Sequence, residues 1–178
     1  METKINEIKN LSNENRMKEL KELLEENNIR LSHQRLLILN YLVLNHTHPT
    51  AEKIYRDLKE IDPVISQATV YNTLNLFTEK KIVKELDFNM NSKMYEFRKK
   101  FHGHFICEQC GKICDFEIVD HNLPNELDDY DIQSEEIVYR GLCPDCKERG
   151  CCKSPKIEKR RGNWNPRLFL IQCIYENR

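Results

Sequence analysis

The chain has 178 residues, of which 39% are hydrophobic and 32% are charged, so we expect one large domain or two small ones with a thin core. Five Gly and six Pro exclude a collagen-like chain and a Gly/Pro-rich disordered one. The longest apolar runs fall well short of the ~20 residues of a membrane span, and the first ten residues lack the apolar core of a signal peptide. We therefore expect a cytoplasmic protein that does not enter a membrane. Eight cysteines in such a chain favour metal or redox chemistry over disulfides.

The net charge of −1 conceals three regions of different charge. Residues 1–100 carry 17 Lys/Arg and 15 Asp/Glu, residues 101–146 carry 2 and 11, and residues 147–178 carry 9 and 3. The acidic middle region also contains five of the eight cysteines. This asymmetry favours two modules with different tasks, although uneven solvation of a single domain is an alternative. We place the domain limits at 1–90 and 91–150, followed by a flexible or appended tail over 151–178.

The first half of the chain predicts four helices. Leucines at helical spacing indicate a helix over 16–27. Ser32, Thr50 and Ser66 can each cap the start of a further helix, in QRLLILNYLVLN, AEKIYRDLKE and QATVYNTLNLFTEK respectively. The side chains expected to face the core are Leu36, Leu39, Leu42, Val43, Ile54, Leu58, Val70, Leu74 and Phe77.

Strand-like segments follow the helices. IVKELDF and KMYEFR alternate, with NMNS as a turn between them. Short helices followed by a hairpin are the order of a winged helix-turn-helix, in which the last helix before the hairpin reads DNA, although a generic small helical domain would show much the same pattern. From residue 101, HFIC, KICDFEIV and IQSEEIVYRGLC predict strands, and LPNELDDY at most a short helix. The predicted fold class is α+β, a winged helix-turn-helix followed by a small α/β domain of the size that often needs a metal.

Two CxxC pairs, Cys107-x-x-Cys110 and Cys143-x-x-Cys146, are separated by 32 residues. Four thiolates satisfy the tetrahedral preference of a structural zinc ion. A redox-active CxxC or a pair of disulfides is the alternative, but neither explains why two such pairs bracket one small acidic region. A zinc deaminase also uses a late CxxC, but it requires Pro before the first cysteine, where this chain has Leu142.

His102 and His104 lie just before the first CxxC pair. On a strand, side chains two residues apart point to the same face, so both imidazoles could bind one metal ion. A solvated surface pair is an equally simple explanation. From other functional classes, the alternatives are a zinc hydrolase built on this pair and a structural zinc module that binds protein.

Residues 31–146 resemble the ferric uptake regulator family of bacterial metal-dependent repressors, through LSHQRLLIL, HPTAEKIYRDL, SQATVYNTLNLF, HGHFICEQCGKICDF and GLCPDC. The resemblance implies a winged-helix DNA-binding domain, an α/β dimerisation domain and a structural zinc ion on the four CxxC cysteines. It also implies a homodimer on an AT-rich palindromic operator, since a two-fold dimer presents its recognition helices to two half-sites.

The resemblance further implies a regulatory Fe²⁺ or Mn²⁺ ion, which suits a mixed nitrogen and oxygen ligand set. The ligands that it implies are His48, Glu96, His102, His104 and Asp115. Metal that binds the DNA-competent state better raises the affinity for DNA by linkage.

Within the family, two residues favour the peroxide-sensing branch. Asp115 and Asn72 stand where iron-sensing members more often carry Glu and Arg. In the peroxide-sensing branch, bound Fe²⁺ reacts with peroxide and a ligand histidine is oxidised, here His102 or His48, so that the repressor leaves DNA. Glu96 argues the other way, because that branch more often has Asp there. We expect a peroxide-sensing repressor rather than an enzyme, with an iron-sensing regulator as the alternative.

The last predicted helix before the hairpin offers hydroxyl, amide and aromatic groups for base or phosphate contacts. The candidate DNA-binding residues are Arg30, Arg35, Ser66, Gln67, Thr69, Tyr71 and Asn72. Two segments depart from the family pattern. The stretch between Phe116 and Ile132 is shorter than the usual dimerisation helix and contains Pro124, and residues 151–178 extend past the usual end.

Overall fold

A computed structural model describes residues 8, 10–45, 47–88, 92–97, 101–119 and 124–149. They form two compact units, which divide between residues 99 and 100. Within the described ranges, no helix has both the length and the apolar character needed to cross a membrane. The predicted tail over 151–178 and most of the predicted NMNS turn lie outside these ranges.

The first unit contains the four predicted helices. They are α1 (Asn13–Glu26), α2 (His33–Leu44), α3 (Ala51–Lys59) and α4 (Gln67–Glu79). The predicted caps of α2, α3 and α4 are confirmed, because the hydroxyls of Ser32, Thr50 and Ser66 each accept a hydrogen bond from the backbone N–H three residues later. Ser12 caps α1 in the same way, so this helix begins three residues before the leucine pattern predicts.

Helix α2 is the centre of the first unit. Every residue predicted to face the core is buried, but in α2 burial is continuous from Leu36 to Val43 and includes two polar residues. A helix that is packed on all sides must satisfy such groups internally. Asn40 Oδ1 accepts from Arg16 Nε at 2.9 Å, and the Tyr41 hydroxyl donates to Asp57 at 2.7 Å. The predicted apolar stripe was therefore too narrow.

The predicted hairpin is confirmed as an antiparallel pair, β1 (Val83–Leu86) and β2 (Met94–Phe97). The backbone N–H of Tyr95 donates to the Pro49 carbonyl at 3.0 Å, which ties β2 to the loop before α3. The helices followed by this wing form a winged helix-turn-helix.

The second unit is a three-stranded sheet in the order β4-β3-β5, with β3 (His102–Cys107) in the centre. Strand β4 (Ile113–Glu117) is antiparallel to β3, and β5 (Val138–Gly141) is parallel to it. The three predicted strands are present, but of the segment IQSEEIVYRGLC only Val138–Gly141 forms a strand, and residues 132–137 do not. Between β4 and β5 the described residues contain one short 3-10 helix, Asn125–Leu127, and a helix that the sequence analysis missed, α5 (Pro144–Arg149), follows β5.

Candidate metal centres and DNA-reading helix

The four predicted zinc ligands form one cluster in the second unit. The Sγ atoms of Cys107, Cys110, Cys143 and Cys146 all lie within 4.8 Å of one another. Cys110 Sγ and Cys143 Sγ are 3.8 Å apart, which is about the separation of two sulfurs bound at ~2.3 Å on a tetrahedral zinc ion. A disulfide would bring two sulfurs to about 2.05 Å, and none of these four cysteines forms one.

Local backbone geometry builds the two cysteine turns. After the first pair, Gly111 adopts φ 70°, a conformation that favours glycine, and its N–H donates to the Cys107 carbonyl at 2.8 Å. The second pair lies at the start of α5, where the Cys146 N–H donates to the Cys143 carbonyl at 3.0 Å. The Cys143 N–H also donates to Cys107 Sγ at 3.3 Å, which joins the two turns.

The ionisation of these thiols favours a cation at their centre. Backbone N–H groups, first that of Cys143, lower the pKa of Cys107 to about 6. The Lys112 N–H acts in the same direction at Cys110, but burial and the neighbouring thiols prevail and raise its pKa to about 11. Four thiolates therefore need a positive charge among them, which a divalent ion supplies as it displaces their protons. The residues fit a structural zinc ion.

His48 and Glu96 form a buried pair in the first unit. His48 Nε2 lies 3.2 Å from Glu96 Oε2, and their side chains are 2% and 5% exposed. His48 has φ 48°, a left-handed conformation that is uncommon for a residue other than glycine and often marks a functional position. The bond between Tyr95 and Pro49 fixes the His48 loop against the strand that carries Glu96.

His102, His104 and Asp115 form a second cluster, on one face of the sheet in the second unit. The two imidazole centroids are 4.6 Å apart, as expected for residues at i and i+2 of a strand. Asp115 lies opposite His104 in the antiparallel pair, and its carboxylate oxygens lie 4.0 Å from His102 Nε2 and 3.9 Å from His104 Nε2. Two imidazoles and a carboxylate arranged in this way can hold a metal ion.

The predicted DNA-binding residues divide between exposed groups and groups used within the fold. Gln67 and Asn72 are exposed on α4. Ser66 and Thr69 serve the start of α4, since the Ser66 hydroxyl accepts from the Thr69 N–H at 3.0 Å and lies 2.8 Å from its hydroxyl.

The two arginines and the tyrosine among these candidates also make contacts within the protein. Arg35 donates to the Arg30 carbonyl at 2.6 Å, which couples the two predicted phosphate contacts. The Tyr71 hydroxyl donates to Glu52, a residue that the sequence analysis did not select. The sequence near Glu52 predicts the start of α3 but not this bond, because the bond depends on how α3 packs against α4.

An aromatic pair that the sequence pattern does not predict lies behind the histidines. The rings of Phe116 and Tyr139 stack with their centroids 5.4 Å apart. A Cβ atom at Gly103 would lie 2.1 Å from Phe116 Cζ, so this glycine makes room for the ring. Gly103 separates the two histidines in the sequence, and the pattern of the HxH motif alone assigns it no role.

Comparison with known proteins places these features in one family. The ferric uptake regulator family model matches residues 26–128. The chain is 41% identical over 130 residues to the peroxide-responsive repressor PerR of Staphylococcus aureus strain Mu50, which covers 71% of this chain and 88% of that protein.

Solved structures show the same fold. The ferric uptake regulator of Helicobacter pylori matches with a TM-score of 0.59 and 23% identity, covering 77% of this chain and 95% of that one. A zinc-bound manganese uptake regulator matches with a TM-score of 0.55 and 26% identity, covering 70% and 98%. With its winged helix-turn-helix, α/β unit and four-cysteine cluster, the chain belongs to the ferric uptake regulator family.

Proposed function

We propose that this protein is a homodimeric, metal-dependent transcriptional repressor that reads an AT-rich palindromic operator with α4. The observation that carries the proposal is a second set of metal-binding side chains, chemically distinct from the four cysteines. Thiolates suit a permanent structural zinc ion, whereas imidazoles and carboxylates suit an exchangeable Fe²⁺ or Mn²⁺ ion.

The regulatory ion is proposed to bind all five residues that the family resemblance implies. His102, His104 and Asp115 are close together within the second unit, and His48 and Glu96 are paired within the first. Neither group alone offers the five ligands that a mixed nitrogen and oxygen site for these metals can use. An ion that needs residues of both units would favour one DNA-competent state, and DNA would in turn raise the affinity for the ion.

Fluorescence anisotropy with a labelled AT-rich palindrome tests this function. The protein that retains zinc should bind the operator tightly with Mn²⁺ and weakly after selective chelation of the regulatory metal. His48→Ala and His104→Ala should each remove most of this metal response. His33→Ala is the matched control, since this exposed histidine belongs to neither cluster. Equal DNA affinity with and without the regulatory metal would contradict the proposal, as would full responses in both ligand variants.

We further propose that the signal is peroxide. Asp115 and Asn72 support this choice, as does 41% identity to a peroxide-responsive repressor. Bound Fe²⁺ would supply the redox chemistry that activates peroxide, with no net change in its own oxidation state. His102 or His48 would receive one oxygen atom at a ring carbon, so that one H₂O₂ yields one oxidised histidine and one water. The oxidised ring loses donor strength, and the ligand set weakens.

Mass spectrometry distinguishes peroxide sensing from iron sensing, the alternative that Glu96 favours. After peroxide treatment, the Fe²⁺ form should gain one oxygen atom on a ligand histidine and release DNA, whereas the Mn²⁺ form should do neither. If the histidines stay unmodified and DNA release follows the loss of iron alone, the protein is an iron sensor.

A further inference from the structure

Glu52 and Tyr71 connect the two helices of the helix-turn-helix. Glu52 lies in the first turn of α3, and the hydroxyl of Tyr71, on α4, donates to its carboxylate. This hydrogen bond is the largest cause of the pKa shift at each residue: it lowers the pKa of Glu52 and raises the pKa of Tyr71. Glu52 is therefore ionised near neutral pH while it holds the Tyr71 hydroxyl.

The bond between Glu52 and Tyr71 is not needed for the stability of the fold. Glu52 is exposed and Tyr71 is only half-buried, whereas Ile54 and Leu74, on the same two helices, are fully buried. Water competes for a hydrogen bond between exposed groups, so the bond adds little to the free energy of unfolding. The buried apolar side chains already hold α3 against α4.

The contacts of Tyr71 decide which part of it can meet DNA. Gln67 lies four residues earlier on the same face of α4, and its side chain lowers the pKa of Tyr71 slightly against the larger, opposite effect of Glu52. The hydroxyl thus donates its proton to Glu52. The aromatic ring is then the group left to contact a base, and an apolar surface suits the methyl group of thymine.

The charge of Glu52 acts on the other component of DNA binding. Lysine and arginine contacts to phosphates supply most of the affinity for DNA of any sequence. A carboxylate beside a base-reading residue of α4 repels phosphates at that point and penalises this sequence-independent binding. Contacts to base edges gain relative weight as a result.

Resting on the function proposed above, we propose that Glu52 is a specificity-determining residue for DNA. It binds the Tyr71 hydroxyl so that the ring faces the bases, and its charge weakens binding to unrelated DNA. Glu52 itself needs no contact with DNA for either effect.

The test compares operator and random-sequence DNA over a range of salt concentrations in the presence of Mn²⁺. Glu52→Gln keeps an oxygen that can accept from Tyr71 but removes the charge. We expect it to raise affinity for random DNA by about 3- to 10-fold and to steepen the salt dependence by up to about one unit of log K per log salt. Operator affinity should rise less, so the ratio of specific to random binding falls.

Two further variants isolate the cause. Glu60→Gln makes the same change in net charge just beyond the other end of α3, about 12 Å along the helix axis, and should leave the specificity ratio unchanged. Tyr71→Phe keeps the ring but removes the bond that orients it, and should lower operator affinity by about 3- to 10-fold; an unchanged operator affinity would refute the positioning of the ring by Glu52. Thermal unfolding of each variant should match that of the parent protein.

Several outcomes would overturn the inference. Glu52→Gln with unchanged random-DNA binding and salt dependence would refute the role of the charge. A loss of operator affinity above about 10-fold in Tyr71→Phe would show that the hydroxyl itself contacts DNA. Failure of the parent protein to bind the operator with any metal would instead refute the proposed repressor function.

Discussion

Replacing Gly103 with alanine should destabilise the second unit far more than the same change at Gly141. The two glycines lie on the neighbouring strands β3 and β5. A Cβ atom at Gly103 would lie 2.1, 2.5 and 2.7 Å from three ring carbons of Phe116, all well inside van der Waals contact. A Cβ atom at Gly141 would lie 3.7 Å from Phe105, which is ordinary contact.

The expected loss of stability at Gly103→Ala follows from the contacts that the Phe116 ring would lose. Overpacking a tight site costs about 1–3 kcal/mol, and losing the stack on Tyr139 costs about 0.5–1.5 kcal/mol more. Replacing a strand glycine also recovers about 0.5–1 kcal/mol of backbone entropy. We expect Gly103→Ala to lower the free energy of unfolding by about 0.5–4 kcal/mol, and Gly141→Ala to leave it unchanged or raise it slightly.

Urea denaturation of the zinc-loaded protein, followed by far-UV circular dichroism, measures both effects. The double variant Gly103→Ala/Phe116→Ala supplies the second test, because removing the ring removes the clash. The combined loss should therefore be smaller than the sum of the two single losses. Equal stability of Gly103→Ala and Gly141→Ala, or additive losses in the double variant, would refute the reasoning.

Three more predictions concern the zinc cluster and the first unit. Cys110→Ser should lower zinc retention and the stability of the second unit, whereas Cys114→Ser, outside the cluster, should do neither. Zinc analysis at falling pH should also show release of zinc, because protons compete with it for the thiolates. Burial, followed by the charge of Glu85, raises the pKa of Tyr95 to about 12. The contribution of Tyr95 to stability is therefore complete below about pH 10 and is lost as the pH rises towards 12. Tyr95→Phe should flatten that part of the curve of unfolding free energy against pH, and an unchanged slope would disprove the assignment. Arg16→Met leaves buried Asn40 without its 2.9 Å donor and should cost about 1–3 kcal/mol in denaturant unfolding, whereas exposed Lys18→Met should cost less than about 0.5 kcal/mol.

Local chemistry explains why the helices could be predicted. A cap is a contact over three residues, so Ser32, Thr50 and Ser66 carry the start of each helix in the sequence itself. The CxxC pairs are equally local, since each is one turn of backbone. The extent of burial on α2 could not be predicted in this way, because it depends on the elements that pack around it and on distant partners such as Arg16.

Long-range register explains why the candidate metal ligands could not be assembled from spacing. Spacing identifies His102 and His104, but it cannot assign Asp115 to them, since a shift of one residue in the pairing of β3 and β4 would move its side chain to the other face. The pairing of His48 with Glu96 spans 48 positions in the sequence and depends on a left-handed residue in a loop. Family resemblance supplied those residues because a family pattern records contacts that local periodicity does not.

The same register joins the aromatic face of the second sheet to its histidine face. Asp115 and Phe116 are consecutive on β4, so the pairing that sets Asp115 opposite His104 also sets Phe116 opposite Gly103. A shift of β4 that moves the Phe116 ring away from a new methyl group would also move the backbone that carries Asp115. We therefore expect Gly103→Ala to weaken Mn²⁺ binding although it changes no proposed ligand. The double variant Gly103→Ala/Phe116→Ala should restore part of that affinity. Unchanged Mn²⁺ affinity in a destabilised Gly103→Ala protein would show that the two faces respond independently.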